Sequence, residues 1–178
     1  MLSAYAGIEP RTLEEDRPIA LTDVAGAPLG LCCSAVAVAR RPPRYAHAAS
    51  LGTFDVGLRL TDERTGTTFA YLPTAGVIDD ALRRLARGAD LLLVDGTFWS
   101  DMELAAAGVD APTARQMGHL PIGGPDGSLE VLPQLGAKRV VFVHINNTNP
   151  ILCRSSAERA QVEAAGVMVG EDGMEFEL

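Results

Sequence analysis

The sequence predicts an α/β fold, in which helices cover a sheet. Three observations point there. Early β-patterned segments, including a hairpin about Asp62-Glu63-Arg64-Thr65-Gly66, give way to alternating helix and strand patterns. Two apolar runs, Leu91-Leu92-Leu93-Val94 and Val140-Val141-Phe142-Val143, are short and continuous, as buried strands are. Each ends abruptly in a residue able to bind metal or move a proton, Asp95 and His144. Open α/β folds place their sites at that end of a strand.

The elements follow in order. Residues 1–17 are mixed and polar and read as a connecting segment. Residues 32–39, Cys-Cys-Ser-Ala-Val-Ala-Val-Ala, suit a strand. Arg40-Arg41-Pro42-Pro43-Arg44-Tyr45 ends it, because two prolines suit neither a helix interior nor a central strand. Residues 56–61 alternate apolar and polar, and residues 67–72 run back across the turn. Residues 77–87 form a helix with Val77, Ile78, Ala81, Leu82 and Leu85 on one stripe and Arg83, Arg84 and Arg87 toward its C-terminal end. Gly88 stops it. Residues 90–95 and 138–144 are buried strands, separated by a short helix over 128–135 that stops at Gly136. Ser155-Ser156-Ala157-Glu158 offers an N-cap with Glu three positions on, opening a helix that ends near Gly166. Residues 167–170 and 174–178 close the chain as short strands.

Composition narrows the functions. The chain has 178 residues, 47% of them apolar, enough for one domain with a real core. Lys and Arg number 15 against 23 Asp and Glu, a formal charge of −8, which argues against binding nucleic acid. No stretch approaches the ~18 apolar residues of a membrane span, and the N-terminus lacks the pattern of a signal peptide. Cys32, Cys33 and Cys153 fit neither a disulfide framework nor a Cys-x-x-Cys zinc site, so a reducing cytoplasm is expected. Gly123-Gly124-Pro125-Asp126-Gly127 lacks the Lys-Ser/Thr ending of a phosphate loop. Arg40, Arg41 and Arg44 form a small basic spot, either solvated surface or a place for an anionic substrate.

Chemistry concentrates in a few residues. His144 is either a metal ligand or a histidine satisfied by hydrogen bonds at a strand end. His119 sits in a Gly- and Pro-rich loop and is either functional or simply exposed. Asp95 can ligate a metal, orient a histidine, or cap the next turn. Asn146, Asn147, Thr148 and Asn149 can hold their own loop or bind substrate. His47 reads as exposed and without a role.

Asp95-Gly96-Thr97-Phe98-Trp99, Met117-Gly118-His119, His144-Ile145-Asn146-Asn147-Thr148-Asn149-Pro150, Ser156-Ala157-Glu158-Arg159-Ala160 and Asp172-Gly173-Met174-Glu175 together resemble the later part of the coenzyme PQQ biosynthesis protein B family. That family is similar to the ribonuclease Z-like branch of the metallo-β-lactamase superfamily. The resemblance runs across nearly the whole chain. It implies the C-terminal part of an αββα sandwich with metal at one edge, and so a single incomplete domain over 1–178. It implies His144 as a metal ligand, His119 as an acid/base that also helps hold the ion, and Asp95 as its catalytic partner. One divalent ion, iron or zinc, is expected, with Asn146, Asn147 and Asn149 toward the substrate.

The implied function is pyrroloquinoline quinone (PQQ) biosynthesis, by metal-dependent oxidation or hydroxylation of a tyrosine-derived precursor. The alternatives are a metallo-β-lactamase-like hydrolase, and a non-catalytic fragment or transport-linked carrier of PQQ or its precursor. The partners implied are a small-molecule or peptide-derived precursor, with a homodimer or a complementing N-terminal half. The sequence departs from the family in two ways. No Cys-rich zinc loop or Asp/His-rich strand end precedes Cys32, and Pro73-Thr74-Ala75-Gly76 stands where the superfamily has a bridging Asp. Half a sandwich would leave one sheet face uncovered, at about 25 cal/mol per Å² of apolar area, so the isolated chain is expected to aggregate or dimerise.

Overall fold

The computed structural model describes residues 12–15, 17–39 and 55–178. Their strands form one seven-stranded sheet whose spatial order follows the chain. Strands β1 (Ile19–Thr22), β2 (Pro28–Ala39), β3 (Asp55–Asp62) and β4 (Thr68–Leu72) are an antiparallel meander. Strands β5 (Leu91–Asp95), β6 (Val140–Val143) and β7 (Met168–Val169) continue it in parallel. The helices are α1 (Asp80–Ala86), α2 (Glu103–Ala106), α3 (Ala114–Met117), α4 (Ser128–Val131) and α5 (Ala157–Ala164). The α/β class and the 56–72 hairpin stand as expected, whereas β1, α2 and α3 carried no signal strong enough to predict them.

Several boundaries move for identifiable reasons. Helix α1 starts later than residue 77 because the Asp79 side chain accepts from Leu82 N–H and caps it there, leaving Val77 exposed. Helix α5 is capped by Ser156, not Ser155, so Arg159 occupies the third position in place of Glu158. Residues 174–178 are not a strand. Gly173 takes φ +81° and turns the chain off the sheet edge, and the tail is held instead by Arg139, which donates to Glu177 O and lies over the Phe176 ring. Of the 1–17 segment, Glu15 makes an isolated bridge to Ala35. His47 and the 40–45 basic and proline-rich stretch lie outside the described residues.

Helices α1, α4 and α5 pack on one face. Across it the register aligns Ala70, Leu92 and Val140 in one row, and Leu72, Val94, Phe142 and Val169 in the next. These residues join Leu82, Leu85, Ile122, Leu132, Ile151 and Val162 in the main core. Gly57 lets α1 come close, since a Cβ there would lie 2.6 Å from Leu85 Cδ2. Arg59 then reaches under the helix and donates to Leu85 O and Arg87 O, placing a cation at its C-terminal end. The opposite face is also apolar. Leu60 aligns with Phe69 and Leu91, and Leu58 with Tyr71, Leu93, Val141 and Met168. Leu58, Leu60, Phe69, Tyr71, Leu93 and Met168 remain only partly buried.

Two outcomes follow from this packing. Gly57→Ala forces Leu85 off its seat and should destabilise the chain by about 1–3 kcal/mol, the usual cost of overpacking, read as a lower urea midpoint. Acid should also weaken the fold. Hydrogen bonds from Arg64 hold the Asp62 carboxyl down at about 2, Lys138 holds Asp90 low, and Arg154 holds Glu171 low. Carboxyls depressed on folding contribute stability that is present above their unfolded values and lost as pH falls through the folded ones. The urea midpoint should therefore drop as pH falls from about 4 toward 2, and less steeply in Arg64→Ala, where Asp62 loses its partner.

Candidate metal centre

Three loops that follow parallel strands meet at the C-terminal edge of β4, β5 and β6, and each is tied to the next through its backbone. Leu120 N–H donates to Ala75 O at 2.7 Å, Ile122 N–H to Phe98 O at 2.9 Å, and Asn146 N–H to Thr97 O at 3.0 Å. Asp95 closes β5 and Gly96 turns over β6. A Cβ on Gly96 would sit 2.6 Å from Phe142 Cβ, so only glycine lets the chain pass. His119 follows α3, whose start is a capping box between Thr113 and Gln116 and whose end is Gly118 in the left-handed region. His144 follows β6 with φ +56°, unusual for a residue with a side chain and of the kind found at functional sites.

These loops bring Asp95, His119 and His144 together, with one potential ligand atom of each within 4.8 Å of the others. The ring centroids of His119 and His144 lie 5.5 Å apart. Asp95 is only 2% exposed, and its carboxylate is surrounded by donors. Oδ2 accepts from Ala75 N–H and lies 2.7 Å from His119 Nδ1. Oδ1 accepts from Thr97 N–H at 3.0 Å and from the Thr97 hydroxyl at 2.6 Å. A carboxylate offers about four lone-pair sites, and all four are occupied. Of the three uses open to Asp95, the geometry therefore favours orienting His119 and fastening the turn over direct ligation.

With both Nδ1 atoms turned to protein partners, the remaining donors are the two Nε2 atoms. Neutral imidazole nitrogens suit zinc or ferrous iron, so the donor set fits such an ion. Two imidazoles are fewer than the three protein ligands usual at a catalytic ion, and the described residues supply only part of a complete set. A hollow of about 280 Å³ opens beside His144, with Ile145, Leu152, Gly170, Glu171 and Asp172 among its walls.

The asparagines divide by burial. Asn149 is 2% exposed; its amide donates to Gly96 O and Thr97 O, and its oxygen accepts from Ile151 N–H. Asn146 donates to Thr148 Oγ1, while Asn147 is exposed. Two residues of the site were not singled out in the sequence. Thr97 sat unremarked between Gly96 and Phe98. Glu103 is buried at 7% exposure, accepting from Trp99 N–H and from the Thr148 hydroxyl, and so joins the 96–99 turn to the loop after His144. Its sequence signal is an acid ahead of a short alanine run, which gives no hint of burial.

The chain is similar to known proteins over most of its length. The family model described as a β-lactamase superfamily domain matches residues 3–145. A coenzyme PQQ synthesis protein B of Cupriavidus necator is 41% identical over 182 aligned positions, covering 100% of this chain and 58% of the relative. That of Pseudomonas putida strain W619 is 51% identical over 124, covering 70% and 41% respectively. The crystal structure of Zn²⁺-bound PqqB from Methylobacterium extorquens superposes with TM-score 0.75 at 37% identity, over 84% of this chain and 51% of that one. The chain thus spans little more than half the length of such relatives. By the domain it carries, the chain belongs to the β-lactamase superfamily, and its curated relatives there are coenzyme PQQ synthesis proteins B.

Proposed function

We propose that this chain serves pyrroloquinoline quinone biosynthesis, in a metal-dependent oxidation or hydroxylation of the tyrosine-derived precursor. The observation that carries the reading is the imidazole pair held beside a saturated carboxylate, in a chain whose relatives bear that pathway's name. His144 is the principal ligand through Nε2. His119, oriented by Asp95, moves a proton to or from the substrate and is close enough to help hold the ion. A bound ion would supply Lewis acidity and, if it is iron, oxygen chemistry. Asn146 and Asn147 are the proposed substrate contacts, with Asn149 acting through the loop it holds. A reducing, cytoplasmic setting is supported by three free cysteines.

The part of the relatives' length not spanned here is the proposed source of the remaining ligands and of a cover for the partly buried face bearing Leu58, Leu60, Phe69 and Tyr71. In this reading 1–178 is one incomplete domain whose partner is a complementing N-terminal half.

The test supplies that half in trans, from the Cupriavidus necator relative, and measures bound metal and aerobic turnover of a tyrosine-containing precursor. Metal uptake and oxygen-dependent consumption are expected only with both pieces. No uptake and no turnover in any combination would overturn the reading. His144→Ala should weaken metal binding beyond the roughly 10–100-fold lost with an outer hydrogen-bond partner. His119→Gln should weaken metal binding less than His144→Ala does, while turnover at saturating metal falls about 10²–10⁴-fold, the scale of a lost acid/base.

A further inference from the structure

One hydroxyl stands at the junction of Asp95, His119 and His144. Thr97 Oγ1 lies 2.6 Å from Asp95 Oδ1, 2.9 Å from His144 Nδ1 and 3.1 Å from His119 Nδ1. A hydroxyl has one hydrogen to give and two lone pairs to receive with. An ionised Asp95 can only accept, so the shortest of these contacts takes the Thr97 hydrogen. The lone pairs of Oγ1 then face the two imidazoles. At 2.9 Å His144 Nδ1 has to carry a hydrogen, because two lone pairs facing each other at that distance repel. His119 Nδ1 is fixed independently, by its 2.7 Å contact with Asp95 Oδ2.

We propose that Thr97 is a positioning residue that fixes the tautomer of His144, passing the negative charge of Asp95 across one hydroxyl to a ring the carboxylate does not itself bond. The inference deepens the metal reading above. The arrangement keeps the hydrogen on Nδ1 of His144 and leaves Nε2 as a bare lone pair, the form a metal accepts. Backbone placement supports the role. Thr97 is only 7% exposed, its N–H is bonded to Asp95, and its carbonyl accepts from Asn146 N–H and from the Asn149 amide. The hydroxyl therefore has little freedom to turn elsewhere. The two histidines differ in a way that can be measured, since His119 keeps its carboxylate when Thr97 is altered and His144 loses the hydroxyl that its Nδ1 meets.

The experiment labels histidine with ¹⁵N in the full chain without metal. There are three histidines, and His47→Gln identifies the signals of the third. In the parent chain, both His119 and His144 should show the hydrogen on Nδ1. In Thr97→Val, which keeps shape and removes the hydroxyl, His144 should pass to a mixture of tautomers while His119 stays unchanged. Thr97→Ser should restore the parent pattern. Zn²⁺ binding, measured on the chain supplied with the complementing half, should weaken about 10–100-fold in Thr97→Val and recover in Thr97→Ser. A parent His144 with its hydrogen on Nε2, or a His144 pattern unmoved in Thr97→Val, would overturn the proposal. Tautomers that follow this pattern in a parent chain that binds no zinc would uphold it and sink the metal reading alone.

Discussion

The site is organised by the buried carboxylate of Asp95. Four donors converge on it from three places in the chain: Ala75 N–H after β4, Thr97 N–H and hydroxyl after β5, and the His119 ring after α3. A buried charge without such partners costs several kcal/mol, and losing one donor leaves part of that cost uncompensated. The loops are therefore not independent pieces set side by side. Each places a donor where the carboxylate requires one, and the backbone bonds among residues 75, 97–98, 120–122 and 146 hold that arrangement. The superfamily pattern has a bridging acid after β4. Here a backbone N–H of Ala75 occupies the neighbourhood instead, and it stabilises Asp95 rather than competing with it for a cation.

How much of this was legible in the sequence depends on the range of the forces involved. Strands β3 through β6 could be read because burial on one or both faces imposes alternation or continuous apolarity on neighbouring residues. Asp95 and His144 could be read because they break those patterns abruptly. Helix α1 was visible as a stripe, yet its start was misplaced. Val77 and Ile78 fit the periodicity, but the Asp79 cap is a stronger determinant than two more apolar positions. The convergence of His119 on Asp95 rested on resemblance alone, since no local pattern ties residue 119 to residue 95. Thr97 and Glu103 were missed for a related reason. A threonine in a turn and an acid at the start of a short helix are ordinary surface residues until tertiary contacts bury them, and both owe their roles to partners about 22 to 47 positions away.

The two faces of the sheet explain why the site sits where it does. On the helix-covered face, Leu72, Val94 and Phe142 fill a continuous core that leaves no room for polar groups. Asp95 follows Val94, and the two-residue period of a strand puts its side chain on the other face. One strand over, Val143 aligns with Asp95 and shares its face, and His144 follows it in the left-handed turn. The polar centre thus lies at the rim of the second apolar face, where Leu93 and Tyr71 are only partly buried. A chain packed against that face would border the metal centre directly. In the reading proposed above, an element that shielded Leu58 and Phe69 would also border the edge where the imidazoles stand.

The conformation of His144 links these arguments. A non-glycine residue held in the left-handed region carries strain of order 1–3 kcal/mol, and such strain persists only where the surroundings over-determine it. Here they do. Gly96 N–H takes Val143 O, Asn146 N–H takes Thr97 O, and Thr97 Oγ1 meets His144 Nδ1, so the residue is fixed on both sides and at its ring. A straight continuation of β6 would carry the ring along the sheet and away from Asp95. The turn instead brings the His144 ring within 5.5 Å of the His119 ring, which is delivered by the loop after α3. Strain at one residue, glycine at another and a single hydroxyl between them bring the imidazole that follows β6 beside the one that follows α3.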